Sequence, residues 1–308
     1  MKKPKSTLFV SGMILSIIIT ACNKDETTQF TTFRINSEKY FYNNIYSYTR
    51  TYDYSNNQLT RQFASSQGWS DELRITYPDI NKIKVYGTRI YDQAEKDLDT
   101  FLITFSDSRI TEFVNRVWYW KLNFTYNIDG RLDKILNYTY YEGVWNLTGT
   151  ISYLYDAGKL IEVNSFGLKS IISYEGDDIK EIVSSNQYMD SWTEFEKNTF
   201  TYMDGKISNK THFYKNLDGI NWDKSISIDY SYDSHGNLLE ETNTDTRTGD
   251  KTRIEYVYEG GEGNYKQIFD ALSTLDYEGN VSPEPIKKSG INILKINDFI
   301  KKMNFKVP

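Results

Sequence analysis

Few residues in this 308-residue chain are of the types that do chemistry, and none is grouped as an enzyme site requires. There is one cysteine, Cys22, and there are two histidines, His212 and His235. A lone thiol cannot close an intrachain disulfide, so Cys22 reads as a site of attachment rather than as half of a bridge. His235 falls in a turn slot where Asn or Asp would serve, and the expectation for the histidines is a solvated turn residue. The adjacent carboxylates Asp177-Asp178 and Glu240-Glu241 have the residue type for acid–base work on a glycosidic bond. With 42 acidic residues in the chain, however, such neighbours arise by chance. Asp129, Asp156, Asp204 and Asp233 would have to cluster on one rim to hold Ca²⁺, and capping their own turns is the simpler role. No His-Glu-x-x-His, Gly-x-Ser-x-Gly, phosphate loop or cysteine-based metal site occurs. The glycines at 260–263 lack the context of a nucleotide site and read as a linker. The chain is expected to be no enzyme and to hold no metal or cofactor.

The amino end says where the chain goes. Lys2, Lys3 and Lys5 precede an apolar run from Leu8 to Thr20, and the small Ala21 follows. That is the layout of a secretory signal, and the run is too short to span a hydrocarbon core of about 30 Å. Its end, Ile19-Thr20-Ala21-Cys22, resembles the lipobox of bacterial lipoproteins. The resemblance implies cleavage between Ala21 and Cys22, diacylglycerol on the Cys22 thiol and an acylated amine. Covalent lipid is then the only prosthetic group, and multiple acyl chains anchor stably where one does not. The following Asn23-Lys24-Asp25-Glu26 is similar to the Lys-acidic-acidic export tag of Bacteroidota lipoproteins. This implies an outer-membrane location facing the cell surface. Formal charge is −6, or −9 once the three signal lysines leave, which excludes a nucleic-acid partner on electrostatic grounds.

The body is built from a repeated phrase: alternating apolar and polar residues ending on an aromatic, a turn of Asp, Asn or Gly, then a short run around Leu or Ile. The clearest copies run from Ile151 to Leu160 and from Ile228 to Leu238. Aromatic anchors fall at Tyr52, Tyr77, Phe105, Tyr126, Tyr155, Tyr174, Tyr202, Tyr232 and Tyr258. The anchor and the positions two and four before it are apolar or aromatic in 24 of 27 cases, Arg50, Ser170 and Asn198 being the exceptions. A period of two with one greasy face is a half-buried antiparallel strand. The turn residues tolerate the left-handed backbone that a tight hairpin needs.

The tryptophans fall between anchors, at the other turn of each hairpin. Trp145, Trp192 and Trp222 lie ten residues before Tyr155, Tyr202 and Tyr232, while Trp69 and Trp118 lie eight before Tyr77 and Tyr126. With Tyr153 to Leu160 and Tyr230 to Leu238 as its clearest phrases, residues 45–265 resemble YD-style repeat arrays, particularly the Trp-punctuated kind of Bacteroidota lipoproteins. The resemblance implies a structural motif and transfers no catalytic residue. The expected fold is all-β, an antiparallel up-and-down meander of repeated hairpins in a strongly curved or barrel-like sheet. The expected order is signal 1–21, lipidated tether and lead-in 22–44, hairpin repeats 45–264 and a carboxy-terminal cap 265–308. An integral outer-membrane barrel would need a lipid-facing aliphatic band, which a Tyr-rich greasy face does not supply. Two roles remain open: a surface module binding glycan or protein through Trp145, Trp192 and Trp222, or a structural or assembly lipoprotein.

Overall fold

The computed structural model describes residues 33–260, apart from turn segments at 80, 92–93, 107–108, 116–118, 166, 217–218 and 235 and the side chains of 33, 89, 91 and 94–99. Ala21, Cys22, Trp118, His235 and the expected cap 265–308 lie outside the described residues. The rest is strand and tight turn. In order these are β1 (Phe33–Tyr42), β2 (Ile45–Ser55), β3 (Gln58–Ser66), β4 (Trp69–Asp79), β5 (Lys82–Tyr91), β6 (Ala94–Ser106), β7 (Arg109–Asn115), β8 (Trp120–Tyr126) and β9 (Leu132–Tyr141). There follow β10 (Val144–Asp156), β11 (Lys159–Ser165), β12 (Leu168–Glu175), β13 (Asp178–Tyr188), β14 (Ser191–Met203), β15 (Lys206–Lys215), β16 (Trp222–Tyr232), β17 (Leu238–Asp245) and β18 (Lys251–Gly260). Each strand pairs antiparallel with the next in sequence, and β1 pairs with β18, from Phe33↔Gly260 to Tyr42↔Thr252. The meander therefore closes into an 18-stranded barrel with no free edge. β1 lies ahead of the expected start of the repeats at residue 45 and supplies the closing strand.

The alternation read from the sequence sorts the side chains. Leu59, Ile103, Phe113, Leu122, Ile135 and Ile182 point inward and are wholly buried. A circular ring of 16 to 18 strands would leave an open channel. The complete burial of these side chains means that they do not line such an open channel. The outer wall between the rims carries residues such as Lys84, Thr104, Glu112, Asn123, Ser152 and Thr199. It lacks the aliphatic band of a membrane-spanning barrel.

All the Asp/Asn/Gly turns that follow an anchor lie at one rim, and the Trp-bearing turns lie at the other. At the anchor rim the sequence alignment needs one correction. The first anchor is Tyr54, two residues after Tyr52, with Asn56 (φ 49°) and Asn57 (φ 62°) forming the turn. The tyrosines have a specific task here. On β3, pairing with β4 stops at Arg61, two residues short of Leu59, and the Tyr77 hydroxyl donates to the Leu59 carbonyl at 2.8 Å. The same substitution of a phenol for a ladder bond occurs at Tyr54 to Ile35 (2.9 Å), Tyr126 to Ile110 (2.7 Å) and Tyr174 to Leu160 (2.8 Å). It recurs at Tyr202 to Ile179 (2.9 Å) and Tyr232 to Ile207 (2.8 Å). Phe105 has no hydroxyl, and there the backbone continues the ladder instead, Phe105 N–H donating to the Asn81 carbonyl at 2.8 Å. Tyr202→Phe is expected to destabilise the barrel by about 1 kcal/mol in urea unfolding, the net worth of one such bond. Tyr77→Phe should behave alike.

Burial also sets the tyrosine acidities. Desolvation outweighs nearby arginines and pushes Tyr126 and Tyr155 up to about 12. A raised tyrosine pKa means that the fold favours the neutral phenol. Its contribution is complete below the unfolded value near 10 and is lost as pH climbs from about 10 through 12. Tyrosine absorbance titration should therefore show the exposed rings ionising first and the inner ones only together with unfolding.

Candidate functional site: the tryptophan rim

The spacing of ten sets Trp145, Trp192 and Trp222 apart from Trp69, eight before its anchor, and from Trp120, six before Tyr126. Trp69 and Trp120 follow simple alternation and point inward; Trp120 is buried and stacked on Phe113 at 5.1 Å and 13°. On β10, β14 and β16 the pairing register slips between the tryptophan and the anchor, leaving Thr148, Phe195 and Ser225 as extra residues. A β-bulge of this kind reverses the sense of every side chain beyond it. Trp145, Trp192 and Trp222 are thereby turned to the outer wall at one rim.

Each of the three meets a lysine that comes from two strands earlier. Lys121 of β8 lies 5.0 Å from the Trp145 ring, Lys169 of β12 lies 4.6 Å from Trp192, and Lys197 of β14 lies 4.8 Å from Trp222. Lys215 is also 4.3 Å from Trp222. Such cation–π contacts contribute about 0.5–1 kcal/mol at exposed sites and fix the indole orientation. Trp145 also packs against Tyr140 at 5.1 Å, and Tyr140 stacks on Tyr119 at 5.8 Å. Trp192 remains exposed, while Trp145 and Trp222 are half-buried.

The two rims differ in kind. Of the exposed aromatics among the described residues, Tyr42, Tyr46, Tyr119, Tyr140, Tyr141, Tyr188, Trp192 and Tyr214 lie at or near the tryptophan rim, and Tyr86 lies mid-wall on β5. At the anchor rim the exposed large apolar residues are aliphatic, such as Ile128, Met203 and Leu239. Phe33 and Gly260 place both the entry and the exit of the barrel chain at the anchor rim.

The residues weighed for catalysis do not assemble. Glu240 and Glu241 are neighbours on a strand and so point to opposite faces, Glu240 toward Arg253 (3.4 Å) and Glu241 toward the Tyr256 hydroxyl (3.5 Å). Asp177 pairs with Lys159 at 3.0 Å. Asp233 caps its own turn, accepting from the Asn237 backbone N–H at 2.8 Å, and Asp129 pairs with Arg131 at 3.6 Å. No group of three metal-ligating side chains occurs among the described residues.

His212 departs from expectation: it is buried inside the barrel, not solvated in a turn. Its Nδ1 is 2.6 Å from Ser225 Oγ, and its Nε2 lies 3.2 Å from Glu196 Oε1, off the line of a hydrogen bond. Asn198, an exception to the apolar pattern, donates to Glu196 at 3.3 Å in the same cluster. The exception Ser170 is met by Ser184 across the pair at 3.1 Å. The third exception, Arg50, forms a buried ion pair with Glu38 at 3.0 Å and also donates to the Tyr40 hydroxyl at 2.6 Å. Tyr40 in turn donates to Glu38. Each exception thus meets a further polar residue inside the wall, where buried polar groups find most of their partners.

No family model and no curated protein matches the chain. Solved structures are similar in part. A DUF3836 family protein from Parabacteroides distasonis is 19% identical over 38% of this chain and 96% of its own, with a TM-score of 0.23. A porin-like protein from Bacteroides vulgatus is 8% identical over 73% of this chain and 98% of its own, with a TM-score of 0.37. An outer membrane lipoprotein-sorting protein domain from Vibrio parahaemolyticus is 10% identical over 78% of this chain and 90% of its own, with a TM-score of 0.23. At these values the likenesses carry no argument about fold or function.

Proposed function

We propose that the chain is a lipoprotein of the outer membrane, acylated at Cys22 and facing the cell surface, in which a YD-style hairpin barrel acts as an interaction module. Its partner is a glycan or a protein of the surface. The observation that supports binding is the set of bulges on β10, β14 and β16, which turn Trp145, Trp192 and Trp222 to the outer wall at the rim remote from the chain's entry. Large apolar rings turned toward water against simple alternation are a cost that a purely self-contained barrel would avoid. A second reading, a structural or assembly lipoprotein, has its own support: a lysine lies against each of the three indoles.

Acrylamide quenching of tryptophan fluorescence, with and without added polysaccharides, separates the two. Quenching of the outward indoles that a glycan suppresses is expected for a binding module; rings that neither acrylamide nor ligand affects would leave the structural role. Acylation is checked by mass spectrometry of the membrane fraction. The expected amino terminus is Cys22 carrying acyl mass, and Cys22→Ser should release the protein or block its processing.

A further inference from the structure

Among the described residues, six hairpins carry exposed apolar residues at or beside their turns at the tryptophan rim. One tip from each is Ile45, Ile90, Tyr119, Val144, Met189 and Ile220, all exposed. Because the barrel is closed, these tips are distributed around its whole end, from β1–β2 through β15–β16. A groove-sized ligand or a single helix would touch two or three of them. Only a flat partner at least as wide as the barrel touches all of them together.

We propose that this rim is a membrane-docking surface, its tips entering the interfacial layer of a phospholipid bilayer. The chemistry fits in three respects. Tyr and Trp prefer the water–hydrocarbon boundary, where the ring is apolar and the hydroxyl or indole N–H stays wet. Immediately behind the tips, Lys121, Lys169 and Lys197 lie along aromatic rings with long stems that can carry their charge to headgroup phosphates. The acidic tips Glu142 and Asp190 offset these lysines, so the rim matches a zwitterionic interface rather than a polyanion. Depth is limited by the wall, where Lys, Thr, Ser and Glu begin within a few residues of the tips. Docking is thus shallow, like that of an interfacial helix, and does not span.

Chain length permits this arrangement together with the anchor read above. The eleven residue-to-residue steps from Cys22 to Phe33 extend to about 37 Å at most, comparable with the eleven-residue strand β2. Acyl chains on Cys22 and the tips at the far rim can therefore occupy one bilayer. Docked so, the outward tryptophans lie level with the headgroups, and any glycan or protein they hold is one presented at that surface.

The test uses the chain from residue 22 onward with Cys22→Ser, so that no acyl group can carry it to lipid. Flotation with phosphatidylcholine vesicles is compared for this protein, for Ile45→Ser/Tyr188→Ser/Met189→Ser/Ile220→Ser at the tryptophan rim, and for Ile128→Ser/Met203→Ser/Leu239→Ser at the anchor rim. All seven side chains are exposed, so both variants should keep the parent's circular dichroism. The expected result is flotation of the parent and the anchor-rim variant, with at least a tenfold lower partition for the tryptophan-rim variant. Brominated lipid should quench tryptophan fluorescence in the same order. The proposal is overturned by a parent that does not float, by equal losses in both variants, or by flotation that needs anionic lipid and ignores the tip substitutions. A dimer in light scattering that only the tryptophan-rim variant abolishes would assign the rim to a second copy instead. None of these outcomes bears on acylation, which the mass of the native protein decides separately.

Discussion

Arg50→Met is expected to destabilise the barrel by about 3–5 kcal/mol, because it leaves Glu38 as an uncompensated carboxylate inside the wall. Glu38 and Arg50 retain 2% and 8% of their surface, and they face each other and Tyr40 inside the wall. Burial opposes the charge on Arg50, but Tyr40 and Glu38 outweigh it and hold the guanidinium cationic. Removing both charges together, as Glu38→Gln/Arg50→Met, should cost clearly less than Arg50→Met alone, since no lone ion is then buried. Urea unfolding followed by tyrosine fluorescence reads both values. A single variant that costs under 1 kcal/mol, or a double variant as damaging as the single, would show that water reaches Glu38.

The second large effect is expected at Phe113→Ala, again about 3–5 kcal/mol. Phe113 is wholly buried and lies between two rings, Trp120 stacked at 5.1 Å and Phe101 tilted at 5.1 Å. The backbone of a closed barrel cannot collapse onto the vacated space without breaking ladder bonds, so the cavity persists and its cost adds to the lost transfer energy. Phe113→Leu should recover most of the loss. A near-neutral alanine variant would mean that the neighbouring rings, Phe101 and Trp120, close over the vacated space.

Much of the fold was legible because one rule governs it. Alternation of period two named the inward residues in nearly every copy, and turn letters marked the hairpins. What sequence reading missed were features that break the period. The extra residues Thr148, Phe195 and Ser225 are invisible to a count of apolar letters, yet they decide which wall a tryptophan faces. A hint existed in the spacing, since both eight and ten are even and predict the same face, so a two-residue difference called for a reason. The first anchor was placed at Tyr52 rather than Tyr54 because both letters satisfy the alternation. Only the carbonyl that Tyr54 reaches, that of Ile35, distinguishes them. The barrel-like sheet was expected, but its closing strand β1 was assigned to the lead-in 22–44 because Phe33–Tyr42 precedes the first repeat phrase. His212 was misjudged because its partners, Glu196 and Ser225, are distant in sequence and become neighbours only through strand pairing.

The pairing of β1 with β18 gives the molecule an all-or-nothing character. A linear stack of hairpins can lose its last unit and remain a shorter version of itself. This chain cannot. Until residues 251–260 arrive, the wall is a sheet with two raw margins, each a ready template for a neighbouring molecule's strand. A product truncated before that point, or a nascent chain stalled during export, is therefore expected to join others of its kind rather than settle into a smaller domain.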